Sequence, residues 1–138
     1  MKLNISFNEQ MSGYRNINIL NESVNLGKLD DICGPAECIE IVVSVLNYIP
    51  HNSLLDVVKH LESRLRHGGR LIIIFNQLDA IIRKYSMGEI DEEKLNVLLY
   101  GAGHKSVFSS EYIVNLLSIK LTSAKIDDEK VTLIAERE

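Results

Sequence analysis

The chain has 138 residues, 46% of them hydrophobic, and a formal net charge of −4. That length and composition fit a single domain over residues 1–138 and exclude a disordered chain or a disulfide-stapled miniprotein. The negative balance argues against nucleic acid as a partner, and no apolar run approaches the roughly 20 residues of a membrane span.

In chain order, Leu3-Asn4-Ile5-Ser6 reads as a short first strand. Residues 7–13 are polar and turn-prone, so they read as a loop. Residues 14–20 alternate, with Ile17 and Ile19 on one face, and read as a second strand. The link between these runs is too short for an ordinary crossover helix, which needs about a dozen residues. Either the connection is abbreviated or the two strands are not parallel neighbours. Residues 21–36 are mostly loop, with Val24-Asn25-Leu26 as a candidate edge strand and Asp30-Asp31-Ile32 as a helical turn.

The organising stretch is residues 38–75. Residues 38–46 and 70–75 are β-branched and almost continuously apolar, as strands buried on both faces are. Between them Leu54, Val58, Leu61 and Leu65 share one face of a helix over residues 53–66. Asn52 or Ser53 caps it, and Gly68-Gly69 is the expected stop. This is a βαβ unit, so the two strands should be parallel. Beyond it, helices are expected over 78–85, broken near Gly88, and from Asp91 to about Leu99, ending at Gly101. A last helix is capped by Ser109 or Ser110, and runs 119–126 and 131–136 form an antiparallel hairpin. The fold class is therefore α/β: a mostly parallel sheet with a C-terminal antiparallel hairpin, in three α/β/α layers.

The polar residues spell out few chemistries. His51, His60, His67 and His104 share no metal-ligand spacing, and Cys33 and Cys38 are not spaced as in common zinc sites. Cys38 opens a buried strand and reads as a packed side chain. No nucleophile elbow and no phosphate-binding loop is present. Asn47 and Tyr48 follow the central strand, where an open α/β sheet places its ligand crevice; ordinary loop packing is the competing reading. His104 with Lys105 offers an anion contact or simply a solvated loop. The opening Met1-Lys2-Leu3-Asn4-Ile5 is too short and polar for a secretory signal, so a reducing cytoplasm is expected.

Several blocks, in order, resemble the class I S-adenosylmethionine-dependent methyltransferases, in particular a small, compact branch. Leu3-Asn4-Ile5-Ser6-Phe7-Asn8 stands where that branch reads L-N-L-G-C-G, and Gly13-Tyr14-Arg15-Asn16-Ile17-Asn18 where it reads G-Y-I-N-V-D. Leu46-Asn47-Tyr48-Ile49-Pro50 resembles L-E-H-I-P, and residues 65–73 resemble L-K-P-G-G-x-L-x-I. His104, Lys105, Phe108 and Ser109 resemble the stretch before the last helix, and Ala135-Glu136-Arg137 the closing strand. The resemblance implies a Rossmann-like fold, with a short first link as a habit of the branch, and S-adenosylmethionine as cofactor.

It also assigns the cofactor positions: Ser6, Phe7 and Asn8 at the glycine loop, Asn18 at the ribose acid, and Asp30 or Asp31 near the adenine, where a helix cap is the competing reading. Both loop glycines are replaced, and an amide replaces the acid that holds the ribose hydroxyls. Losing one charge-assisted bidentate contact costs about 1.5–3 kcal/mol, and side chains in the loop add steric conflict. The expectation is a methyltransferase-like protein with impaired or lost cofactor binding. It would act as a non-catalytic binding or interaction module, for a small-molecule ligand, as a partner subunit or as a homodimer. The alternative is an active methyltransferase on a small molecule or sugar, with a divergent loop. No catalytic residue and no metal ligand is assigned.

Overall fold

The computed structural model describes residues 1–19, 25–101, 104–128 and 130–138. Strands β1 (Lys2–Ser6), β2 (Arg15–Asn18), β3 (Cys38–Val43), β4 (Leu65–Asn76), β5 (Lys120–Asp127) and β6 (Lys130–Glu136) form one sheet in the order β2-β1-β3-β4-β6-β5. The first four are parallel, and β6 runs antiparallel to both β4 and β5. Helices α1 (Leu54–Arg64), α2 (Leu78–Ser86), α3 (Glu92–Tyr100) and α4 (Ser110–Leu116) complete the chain. Among the described residues, no helix is long and apolar enough to cross a membrane. Part of the expected second strand and edge strand (Leu20 and Val24), part of the 101–105 loop (Ala102 and Gly103) and Glu129 of the hairpin turn lie outside the described residues.

Strand alternation divides the sheet into two unlike faces. Leu3, Ile5, Ile17, Ile41, Val43, Leu71, Ile73, Val131 and Leu133 point to one face and form the main core with Leu54, Val58 and Leu61 of α1 and Ile113 of α4. The other face carries Asn4, Ser6, Glu40, Val42, Arg70, Ile72 and Ile74, a mixture of polar and apolar groups. There the buried Glu40 carboxylate accepts from the Tyr14 hydroxyl and pairs with Arg70 at 2.7 Å. On the core side, burial and the neighbouring Cys33 thiol push Cys38 up to about 12, so it stays a protonated, packed side chain.

The link between β1 and β2 is abbreviated, and the strands are nonetheless parallel neighbours. Side chains take over the work of a crossover helix. Ser6 Oγ donates to Glu9 O at 2.7 Å and accepts from Glu9 N at 3.0 Å. Asn16 Oδ1 accepts from Asn4 Nδ2 and Met11 N, both at 2.9 Å, while its amide donates to Met11 O and Tyr14 O. Gly13, with φ +84°, makes the turn that brings the chain back.

Several boundaries differ from the sequence expectation: the second strand stops at Asn18, with Ile19 already in a turn, and no strand forms at Asn25 and Leu26. The first helix ends at Arg64, not at the glycine pair, because Leu65 already pairs with Cys38 of β3. Gly68 and Gly69 instead sit in a β-bulge, between the Cys38–Leu65 and Glu40–Arg70 pairs. The central strand stops at Val43 rather than Leu46, since Leu46–Tyr48 closes into a 3-10 turn. Ser53 makes no side-chain cap, because another 3-10 turn, His51–Ser53, leads into α1. Asp91 and Ser109 do cap their helices, accepting from Lys94 N and Tyr112 N.

Candidate functional site: the crevice between β1 and β3

From β1 the chain passes to β2 on one side; from β3 it passes to β4 on the other. The reversal lies between β1 and β3, and open α/β sheets bind ligands outside the carboxyl ends of the strands at such a point. A cavity of about 390 Å³ opens there. Its floor is the mixed face of the sheet: Asn4 and Ser6 of β1, Val42 and Ser44 at β3, Ile74 and Asn76 of β4, and Lys130 of β6. These strands are neighbours at about 4.8 Å spacing, so the floor is roughly 14 Å wide. Phe7, Asn8, Glu9 and Met11 form one lip, and Asn47, Tyr48 and His104 the other.

The two lips touch. The Phe7 ring stacks on Tyr48 with centroids 5.1 Å apart and planes 13° from parallel. His104 meets Tyr48 edge-on, with centroids 4.8 Å apart. A second cavity of about 400 Å³ lies beyond Tyr48, lined by Ile19, Leu26, Gly27, Val45, Ile49 and Val57 among others. Tyr48 is common to both cavities.

Asn47 fixes the second lip. It is buried at the end of β3, and its main-chain oxygen accepts from Lys105 N at 2.7 Å and Ser106 N at 3.1 Å. Its amide donates to Ser106 O, and its Oδ1 accepts from Asn76 N, each at 3.3 Å. One side chain thereby joins the ends of β3 and β4 to the segment that carries His104.

Of the residues singled out in the sequence, Ser6, Phe7, Asn8, Asn47 and Tyr48 come together around the first cavity. Asn18, Asp30 and Asp31 line neither cavity. Asn18 is 8% exposed, with Oδ1 3.1 Å from Ser6 Oγ. Asp30 is drawn to the end of α1, where it pairs with Arg64 at 2.8 Å. Asp31 is exposed in a turn. His104 lines the cavity, while Lys105 is exposed and tied by its backbone. Asn4, Glu9, Met11, Asn76 and Lys130 also line it without having been marked by the sequence. The signal for Asn4 was its spacing, two residues before Ser6 on a strand; Lys130 gave none, since only the register of β6 brings it opposite Asn76.

No protein-family model and no curated protein matches the chain. Solved structures do. An O-methyltransferase family protein from Burkholderia thailandensis superposes with a TM-score of 0.64 at 14% identity, over 91% of this chain and 36% of that one. A protein from Pyrococcus horikoshii gives 0.66 at 13%, over 92% and 61%. A SAM-dependent methyltransferase from Methanosarcina mazei gives 0.60 at 13%, over 99% and 82%. The chain thus spans about a third of the first and three fifths of the second. At such identities the likeness defines the fold alone: a small Rossmann-like α/β fold, ending in an antiparallel hairpin, that this chain shares with methyltransferase structures.

Proposed function

We propose that this chain is a methyltransferase-like module whose crevice does not take S-adenosylmethionine, and that it acts by binding rather than by catalysis. The observation that carries this reading is the Phe7–Tyr48 stack, which bridges the two lips of the crevice. Three further features support it. The loop amides of Glu9 and Met11, which a glycine loop leaves to a ligand, are already taken by Ser6 Oγ and Asn16 Oδ1. The side chain of Asn18, at the place of the ribose acid, is turned to Ser6. A side chain at each glycine position also keeps a ligand from the close backbone approach that glycine permits. These residues do not make a cradle for the cofactor.

A second reading, an active methyltransferase on a small molecule or sugar, draws on the two cavities that meet at Tyr48. Swinging one ring aside would join them, and methyl transfer rests on alignment of the reacting atoms more than on a general base. Calorimetric titration of the protein with S-adenosylmethionine and S-adenosylhomocysteine separates the readings. The binding-module reading expects no heat and no thermal shift at about 1 mM ligand. A micromolar dissociation constant for either ligand favours the enzyme.

A further inference from the structure

Among the described residues, eight large apolar side chains stand exposed; Met1, Leu55 and Ile126 lie apart, and the other five fall in one segment. Ile82 (52% exposed), Tyr85 (41%), Met87 (67%), Val97 (54%) and Tyr100 (72%) all belong to α2, α3 and the turn between them. On α2, Leu78, Ile82 and Tyr85 follow an i, i+4, i+7 stripe, and on α3 Val97 and Tyr100 stand three positions apart. Such stripes are the anchors by which one helix packs on another. The inner side of α2 is already used, since Ala80 and Ile81 are buried. By contrast, α3 has no buried position among its described residues, although Leu95, Val97, Leu98 and Leu99 are apolar. A helix of this size is marginal in water without tertiary packing, so an apolar cluster on so lightly packed a hairpin marks an interaction surface.

We infer that this surface binds a second copy of the chain, through a twofold contact in which the α2 helices pack antiparallel. The charges of α2 select that occupant. Asp79 lies in its first turn and Arg83 in its last; Lys84, also in the last turn, is already paired with Asp128. An antiparallel copy therefore sets the acidic end of each helix beside the basic end of the other, twice over, as an isologous interface requires. Stacking two parallel copies would instead oppose like charges. The size of the surface sets the strength. Two nine-residue helices, each about 13 Å long and side by side, present a few hundred Å², at the small end of specific interfaces. The dimer is thus a dissociable one, with a constant in the micromolar range. This inference does not depend on whether the crevice takes a cofactor.

Sedimentation equilibrium across about 1 µM to 1 mM protein tests it. The wild type should pass from monomer to dimer over that range. Ile82→Glu and Tyr100→Glu, both at exposed positions, should each remain monomeric about tenfold higher in concentration while keeping the wild-type circular dichroism. D79K alone and R83E alone should also dissociate, each pairing like charges across the twofold. A one-to-one mixture of the two should associate again, because D79K then faces R83E, and Asp79 faces Arg83. A wild type that stays monomeric at 1 mM would overturn the inference and leave the face to a different chain. So would a dimer indifferent to Ile82→Glu and Tyr100→Glu, which would place the contact elsewhere.

Discussion

Asn47 shows how much one buried amide can hold. Its side chain bridges Ser106 O and Asn76 N, and its backbone oxygen takes two more amides from the 104–108 segment. Asn47→Ala leaves the buried Ser106 carbonyl without its side-chain partner, which costs about 1–3 kcal/mol, and the half-buried Asn76 amide loses its acceptor as well. The variant should unfold at clearly lower urea, and the Asn76 amide should exchange faster than in wild type. His60 is a second such point. Its Nε2 accepts from Leu29 N at 2.7 Å, which only the neutral ring can do. Burial lowers its pKa from 6.5, the Arg64 charge lowers it further, and Asp30 opposes them. A lowered folded pKa means that this stabilisation is complete above about pH 6.5 and is lost as the pH falls toward the folded value. Thermal melts between about pH 7.5 and pH 5 should therefore show a loss of stability that His60→Gln reduces. At this scale the sequence spoke unevenly. Tyr48 and Asn47 were legible from their place after an apolar strand. Asp30 was not, because the ion pair with Arg64 that holds it spans 34 positions of sequence and leaves no local pattern.

Elements were more legible than their ends. The βαβ unit, the capped helices and the closing hairpin follow from apolar period and from Asp91 and Ser109 as caps. The end of α1 did not, because two signals conflict at residues 65–69. Local propensity carries a helix up to the first glycine, whereas pairing of Leu65 with Cys38 recruits the chain into β4 before Gly68 is reached. Tertiary pairing prevails, and the glycines serve the bulge. A Cβ on Gly69 would stand 2.9 Å from both Arg66 O and Cys38 O, which are backbone atoms with little room to yield. Gly69→Ala should therefore destabilise by about 1–3 kcal/mol, read as a lower denaturation midpoint at unchanged m-value. Gly68, with φ +76° and open space around it, resists substitution for a different reason, the left-handed backbone itself. Comparing the two alanine variants by crystallography would separate clash from backbone strain: Gly69→Ala should shift the Cys38 carbonyl, and Gly68→Ala should not.

For the whole molecule, topology and side chains give different messages. Strand order puts a reversal between β1 and β3 and so specifies a crevice. At that crevice Phe7 lies on Tyr48, Ser6 and Asn16 hold the loop amides, and Asn18 turns to Ser6. The crevice could be foreseen from the order of apolar runs. The ring stack could not, since Phe7 and Tyr48 meet only when the sheet is assembled. The most direct test compares the wild type with S6G/F7C/N8G/N18D, which installs the glycine loop and the ribose acid of the family the sequence resembles, in calorimetric titrations with S-adenosylhomocysteine. Gaining the acid alone is worth about 1.5–3 kcal/mol, or ten- to a hundredfold. No binding is expected of the wild type at about 1 mM, and measurable binding of the folded variant. Micromolar binding by the wild type, with Phe7 and Tyr48 in place, would contradict the binding-module reading.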